Sequence, residues 1–257
     1  MSISQIQMKN LPLRRFDRHA ELRSHRAEHA ERTGVPRWAV VTAGAAPALL
    51  VVGFLVAATL QTVSYNPLRD AISALAARGA TDPWVMTAAI AAVGACYLLT
   101  ALGLSPLRRI GRLALAGGGV ATLSIAAFPT PLHGYSEPHA VAVIAASTTM
   151  CAWPVLAVRG QPSAGVLRLG PNLAASAITF GLIMWFTLEI NGGELGLAER
   201  CAAVAPALWL FPVAFGARRA FLPGESVGRD GVALVAVDAG GYADLDRSHA
   251  SRGATAT

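Results

Sequence analysis

Six apolar blocks dominate the chain, at residues 38–60, 84–104, 113–128, 139–158, 171–190 and 197–217. Each approaches or reaches the roughly 20 apolar residues needed to cross a bilayer as a helix. The third is the shortest, and its start can extend back to Ile110. Composition supports the same conclusion: 54% of residues are hydrophobic and only 14% charged, against about a quarter charged in a soluble domain. A soluble chain of this length could not cover its surface with so little charge. A soluble enzyme, a disordered chain and a secreted disulfide scaffold are therefore disfavoured. The expected fold class is all-α: a polytopic membrane helix bundle with six transmembrane helices and a short extracytoplasmic interfacial helix.

The expected organisation is a charged cytoplasmic tail over residues 1–37, a membrane domain over 38–219 and a flexible cytoplasmic tail over 220–257. The first tail is too long and too charged to be the short positive region of a cleaved signal peptide. Its Glu21 and Glu28, with neighbouring arginines, suit a solvated helix. His25 and His29 share a helix face, but no third ligand is evident and no metal is expected. The run Gly117-Gly118-Gly119 lies inside the third block. It suits close helix packing in lipid and not a phosphate loop, since no strand precedes it and no Lys follows. Cys96, Cys151 and Cys201 each sit in an apolar block without CxxC spacing, so they read as small hydrophobes.

Net charge is +6. The basic residues concentrate in the first tail and in alternate short loops, so membrane topology explains them better than nucleic acid. With a cytoplasmic N-terminus, fifteen Lys and Arg residues lie in or beside inside segments through Arg219, and only Arg69, Arg78 and Arg200 lie outside. That bias predicts a cell-membrane protein with both termini cytoplasmic.

This orientation puts the distinctive polar residues in three outer loops. The first, SYNPLRDAISALAARGATDP, spans 64–83. Asn66 suits an N-cap, Pro67 a first turn and Gly79 a stop. Leu68, Ala71, Ile72, Leu75 and Ala76 make one apolar face. The spacing predicts an interfacial helix over 67–78, with Arg69, Asp70 and Ser73 off that face. The second loop, FPTPLHGYSEPHA over 128–140, carries His133 and His139, which could shuttle a proton; their spacing is a weak metal signal. The third, EINGGELGLAER over 189–200, carries Glu189, Glu199 and Arg200. Ionisable groups beside a membrane are costly when unpaired, so Arg200 is expected to pair with Glu189 or Asp70. The ligand-binding candidates are thus Arg69, Asp70, Ser73, His133, His139, Glu189, Glu199 and Arg200. A structural ion-pair network is an equally good reading of them. Trp153-Pro154, Pro206, Trp209 and Pro212 read as kinks and interfacial anchors.

NPLRDAISALAARGA with Trp84 and GACYLLTALGL, FPTP with His133-Gly134 and His139-Ala140, Trp153-Pro154 and GLAER together resemble the bacterial multi-pass membrane family "domain of unknown function 998". The likeness runs from about Trp38 to Arg219. More distantly, the chain is similar to six-span proteins of the autophagy-modulator and FGF-receptor-activating type. The resemblance implies a six-helix membrane fold and no assigned reaction.

Two functions of different kind fit. One is a non-enzymatic membrane protein that binds a lipid or small amphiphile at the outer polar cluster, or assists a membrane process. The alternative is a membrane enzyme acting on a lipid or isoprenoid through Asp70, His133, His139, Glu189 and Glu199 as acid–base groups. No GxSxG, HExxH or Asp-rich diphosphate motif supports a named chemistry, so no catalytic residue is assigned and the balance leans away from an enzyme. A transporter would want charges near the span centres, and none is there. Membrane lipids are the expected partners, with no nucleic acid and no cofactor.

Overall fold

The structure is a computed structural model that describes residues 34–131, 134–158 and 165–221. Residues 1–33, with His25 and His29, residues 222–257 and His133 lie outside the described residues. Six long helices appear: α1 (Arg37–Thr59), α3 (Pro83–Gly103), α4 (Arg109–Ala127), α5 (Glu137–Ala157), α6 (Leu169–Leu188) and α7 (Leu195–Ala220). Each is long and apolar enough to cross a membrane, and the chain is a multi-pass membrane protein. The one further α-helix among the described residues is α2, a single turn at Ile72–Leu75.

Each long helix packs on its neighbour in sequence, and α7 closes back on α1. The bundle is therefore a ring. Spacing explains the seams. The buried residues of α1 are Ala39, Ala43, Ala46, Leu50, Gly53 and Ala57, with Pro47 beside them. In α3 they include Met86, Ile90, Val93, Tyr97 and Thr100. Steps alternating between three and four keep one seam against a neighbouring helix. The other faces are also apolar. Val41 is 68% exposed and Val52 57% exposed, as expected where lipid replaces water outside the bundle.

The glycine run allows close approach. A Cβ on Gly119 would lie 2.9 Å from the carbonyl oxygen of Gly94, and a Cβ on Gly94 would meet the Gly119 carbonyl at the same distance. The α3–α4 contact thus needs glycine on both sides. At the arginine-rich end, side chains serve the last carbonyls of α3 and one ahead of α1, none of which has an intrahelical partner. Arg112 donates to Ala101 and Leu102 at the end of α3 (2.9 and 3.2 Å), and Arg218 donates to Val35 (2.7 Å).

Two expectations need correction. The helix predicted over 67–78 forms only at Ile72–Leu75. Residues 67–71 turn instead, because their carbonyls bond side chains from elsewhere, as described below. Trp153 is not an interfacial anchor: it is 1% exposed and lies in the core. Trp209 donates its indole N–H to Asn172 Oδ1 at 3.2 Å, tying α7 to α6.

Candidate functional site

The three polar loops do meet, at the end of the bundle opposite the arginine-rich one. The first loop is the hub. Its Arg78 N–H donates to Thr130 of the second loop (2.9 Å), and its Leu68 carbonyl accepts from Leu197 N–H at the start of α7 (3.1 Å). Gln61 pins the loop ends together, donating to the carbonyls of Ala57 and Thr81 and accepting from Thr81 N–H. Gly79 has φ +104°, so the predicted glycine stop is used as a left-handed turn.

Arg200 and Glu199, adjacent on α7, do different things. The expected ion pair from Arg200 to Glu189 or Asp70 does not form. Its Nη1 donates to the backbone carbonyls of Pro67 (2.5 Å), Asp70 (3.2 Å) and Gly196 (2.7 Å), and its Nη2 to the Tyr65 hydroxyl. The guanidinium also stacks over the rings of Phe54 and Tyr65, 5.3 and 5.6 Å from their centroids. A cation near a helix N-terminus opposes the helix dipole. Carbonyl oxygens and aromatic faces offset that cost. Tyr65 in turn donates to the carbonyls of Asp70 and Ala71 (3.1 and 3.2 Å). Burial pushes its phenol above the ordinary range, against the pull of Arg200, so it serves as a neutral hydroxyl. Gly196 is needed beneath this knot, since a Cβ there would collide with the carbonyl oxygens of Asp70 and Pro67.

The carboxylates are satisfied by backbone N–H groups. Asp70 accepts from Asn66 N–H (2.6 Å), closing its own turn. Glu189 accepts from Glu194 N–H (3.0 Å) and stays within the third loop. Glu199 reaches across the fold: its Oε2 accepts from Ile72 N–H at 2.5 Å and its Oε1 from Ser73 N–H at 3.3 Å. These are the first N–H groups of α2, whose N-cap residue Ala71 brings no side-chain acceptor. Glu199 therefore caps α2 from another helix.

Glu199 also faces a cavity with ≈ 150 Å³ of enclosed space that opens outward. All six long helices and α2 line it. Most of its wall is apolar, including Leu50, Ile90, Val143, Ile183 and Phe186. Three of the eight sequence candidates share its polar end: Ser73, His139 and Glu199. His139 sits at the start of α5 with Nδ1 3.0 Å from the Phe128 carbonyl. A carbonyl only accepts, so Nδ1 carries the proton and Nε2 is an acceptor in the neutral ring. Farther in, Tyr97, Ser147 and Thr179 add hydroxyls to the wall. No sequence argument singled these out, because an isolated hydroxyl in an apolar helix has no spacing signature. Arg69, Asp70, Glu189 and Arg200 do not line the cavity. Of these, Asp70 and Arg200 hold the loop, Glu189 closes its own turn, and Arg69 is exposed. No group of three or more His, Cys, Asp or Glu side chains capable of holding a metal occurs among the described residues.

The site thus combines a partly enclosed apolar chamber with a carboxylate, an imidazole and a hydroxyl at one end. No curated protein and no solved structure matches the chain. One family model matches residues 32–240, that of a protein of unknown function, DUF998. This match takes in the whole six-helix ring, with Gly196, Glu199 and Arg200 on α7, together with the loop that carries Asn66 and Asp70, and the chain belongs to the DUF998 family.

Proposed function

We propose that the protein binds a membrane lipid or small amphiphile, with the apolar chain in the central cavity and the head against Ser73, His139 and Glu199. The cavity carries this reading. Its make-up is that of small-molecule sites, a mostly apolar concavity with a few placed polar groups. Along α5 it runs from His139 to Met150, about 16 Å at 1.5 Å per residue. That is roughly half the hydrocarbon thickness of a bilayer, the depth of one lipid leaflet. Filling the cavity tests it. Ala146→Phe and Ala203→Phe each place a ring into the chamber from a different helix. Both variants are expected to lose co-purifying amphiphile, read by native mass spectrometry, while the folded protein elutes as before. Retention of the same amphiphile at the same stoichiometry in both would sink the reading.

His139 and Glu199 on one cavity also support a second reading, an enzyme acting on the bound lipid or isoprenoid. His139 Nε2 would serve as base, with its Nδ1–H oriented by Phe128.

The fifteen-to-three distribution of basic residues supports insertion in the cell membrane with both termini cytoplasmic. The cavity's polar end then faces outward. Reporter fusions at Ser105 and Arg219 are expected to read cytoplasm and one at Gly193 the outside. A reversed pattern would place the cavity's polar end on the inner face.

A further inference from the structure

We infer that the head group this cavity accepts is non-anionic and donates hydrogen bonds, an alcohol or an ammonium on a long apolar chain. The inference rests on the amphiphile reading above and adds the charge and polarity of the ligand. At the polar end the Ser73 hydroxyl already bonds Glu199, and the groups left for a ligand are acceptors. Each Glu199 oxygen also takes one backbone N–H, from Ile72 or Ser73, and of the carboxylate's four lone pairs one remains. In its neutral ring His139 presents Nε2 as an acceptor, because Phe128 holds the Nδ1 proton. Pro206 lines the same wall and brings no N–H to the carbonyl of Ala202, one turn back and also on the wall.

Counter-charge for an anionic head is lacking. No Arg or Lys is among the cavity-lining residues. Arg200, next to Glu199 in sequence, directs its guanidinium into the first loop, where the carbonyls of Pro67, Asp70 and Gly196 and the Tyr65 hydroxyl take its protons. A phosphate or carboxylate at this end would face the Glu199 carboxylate in a chamber of low dielectric, where like charges repel far more than in water. A hydroxyl or ammonium meets acceptors instead, and the ammonium gains the charge of Glu199 as well.

The head can be varied while the chain is held constant. The full-length protein in phosphatidylcholine nanodiscs at pH 8 is titrated with hexadecanol, hexadecylamine, palmitic acid and hexadecyl phosphate. Binding is read by native mass spectrometry and by the shift in melting temperature. Amine and alcohol are expected to bind at least ten-fold tighter than acid and phosphate, and E199Q is expected to remove most of the amine's advantage over the alcohol. Acid or phosphate binding as tightly as amine on the unmodified protein overturns the head-group inference and leaves the amphiphile reading intact. If none of the four binds, or if A146F binds all four unchanged, the amphiphile reading itself fails. The comparison among heads on the unmodified protein decides the matter even if E199Q does not fold.

Discussion

Arg200→Ala is expected to lower stability by about 2–3 kcal/mol, because bonds from a charged donor are worth more than neutral ones and their loss strands the acceptors. Three carbonyls and the Tyr65 hydroxyl lose their donor together, and Phe54 and Tyr65 lose the cation over their rings. At roughly 2–4 °C per kcal/mol for a chain of this size, the melting temperature should fall by about 5–10 °C. The injury is to the first loop, so limited proteolysis should cut between Tyr65 and Asp70 well before the bundle unfolds. Arg200→Lys should recover only part of the loss. An ammonium keeps the charge but not the planar fork that spans carbonyls and phenol at once. An unchanged melting temperature and an intact loop in Arg200→Ala would show that water replaces the guanidinium without cost.

Glu199→Ala is expected to cost about 2–4 kcal/mol, since two N–H groups lose a charged acceptor worth about 1.5–3 kcal/mol for each bond. Ile72 is buried, so its N–H has little recourse to water. Hydrogen exchange should quicken at the Ile72 and Ser73 amides and stay slow along α3 and α4, because only α2 depends on this cap. Glu199→Gln should cost less. Its amide oxygen still accepts one N–H, although its NH₂ then faces the other. Global exchange in Glu199→Ala, reaching the seam residues of α1 and α3 equally, would mean that the carboxylate holds the whole bundle and not one turn of it.

The two variants separate neighbouring roles that the sequence presents as one motif. In GLAER the charges stand side by side, and charge pairing of Arg200 with Glu189 or Asp70 is the natural reading. Pairing by sign neglects the backbone. A turn that forms no ladder leaves carbonyls and N–H groups needing partners, and these compete for the same side chains. Here they win: Arg200 goes to carbonyls and Glu199 to amides. The shortened α2 has the same cause. Leu68, Ala71, Ile72, Leu75 and Ala76 keep helical spacing, yet the carbonyls of Pro67, Asp70 and Ala71 are held by Arg200 and Tyr65. A local pattern cannot register a donor 130 residues away.

What the sequence by itself determined is the number of long helices, their bounds to within a few residues, and their close packing at glycine. Each follows from physics local to a segment: hydrocarbon demands long apolar helices whose backbones bond internally, and small residues let them approach. Tertiary structure alone decided which faces turn inward, since helices apolar on every side carry no moment to distinguish core from lipid, and Trp153 was misplaced for that reason. It alone decided that Ser73, His139 and Glu199 would share a chamber with Tyr97 and Thr179. A cavity is space that several helices together fail to fill, and no single helix encodes it.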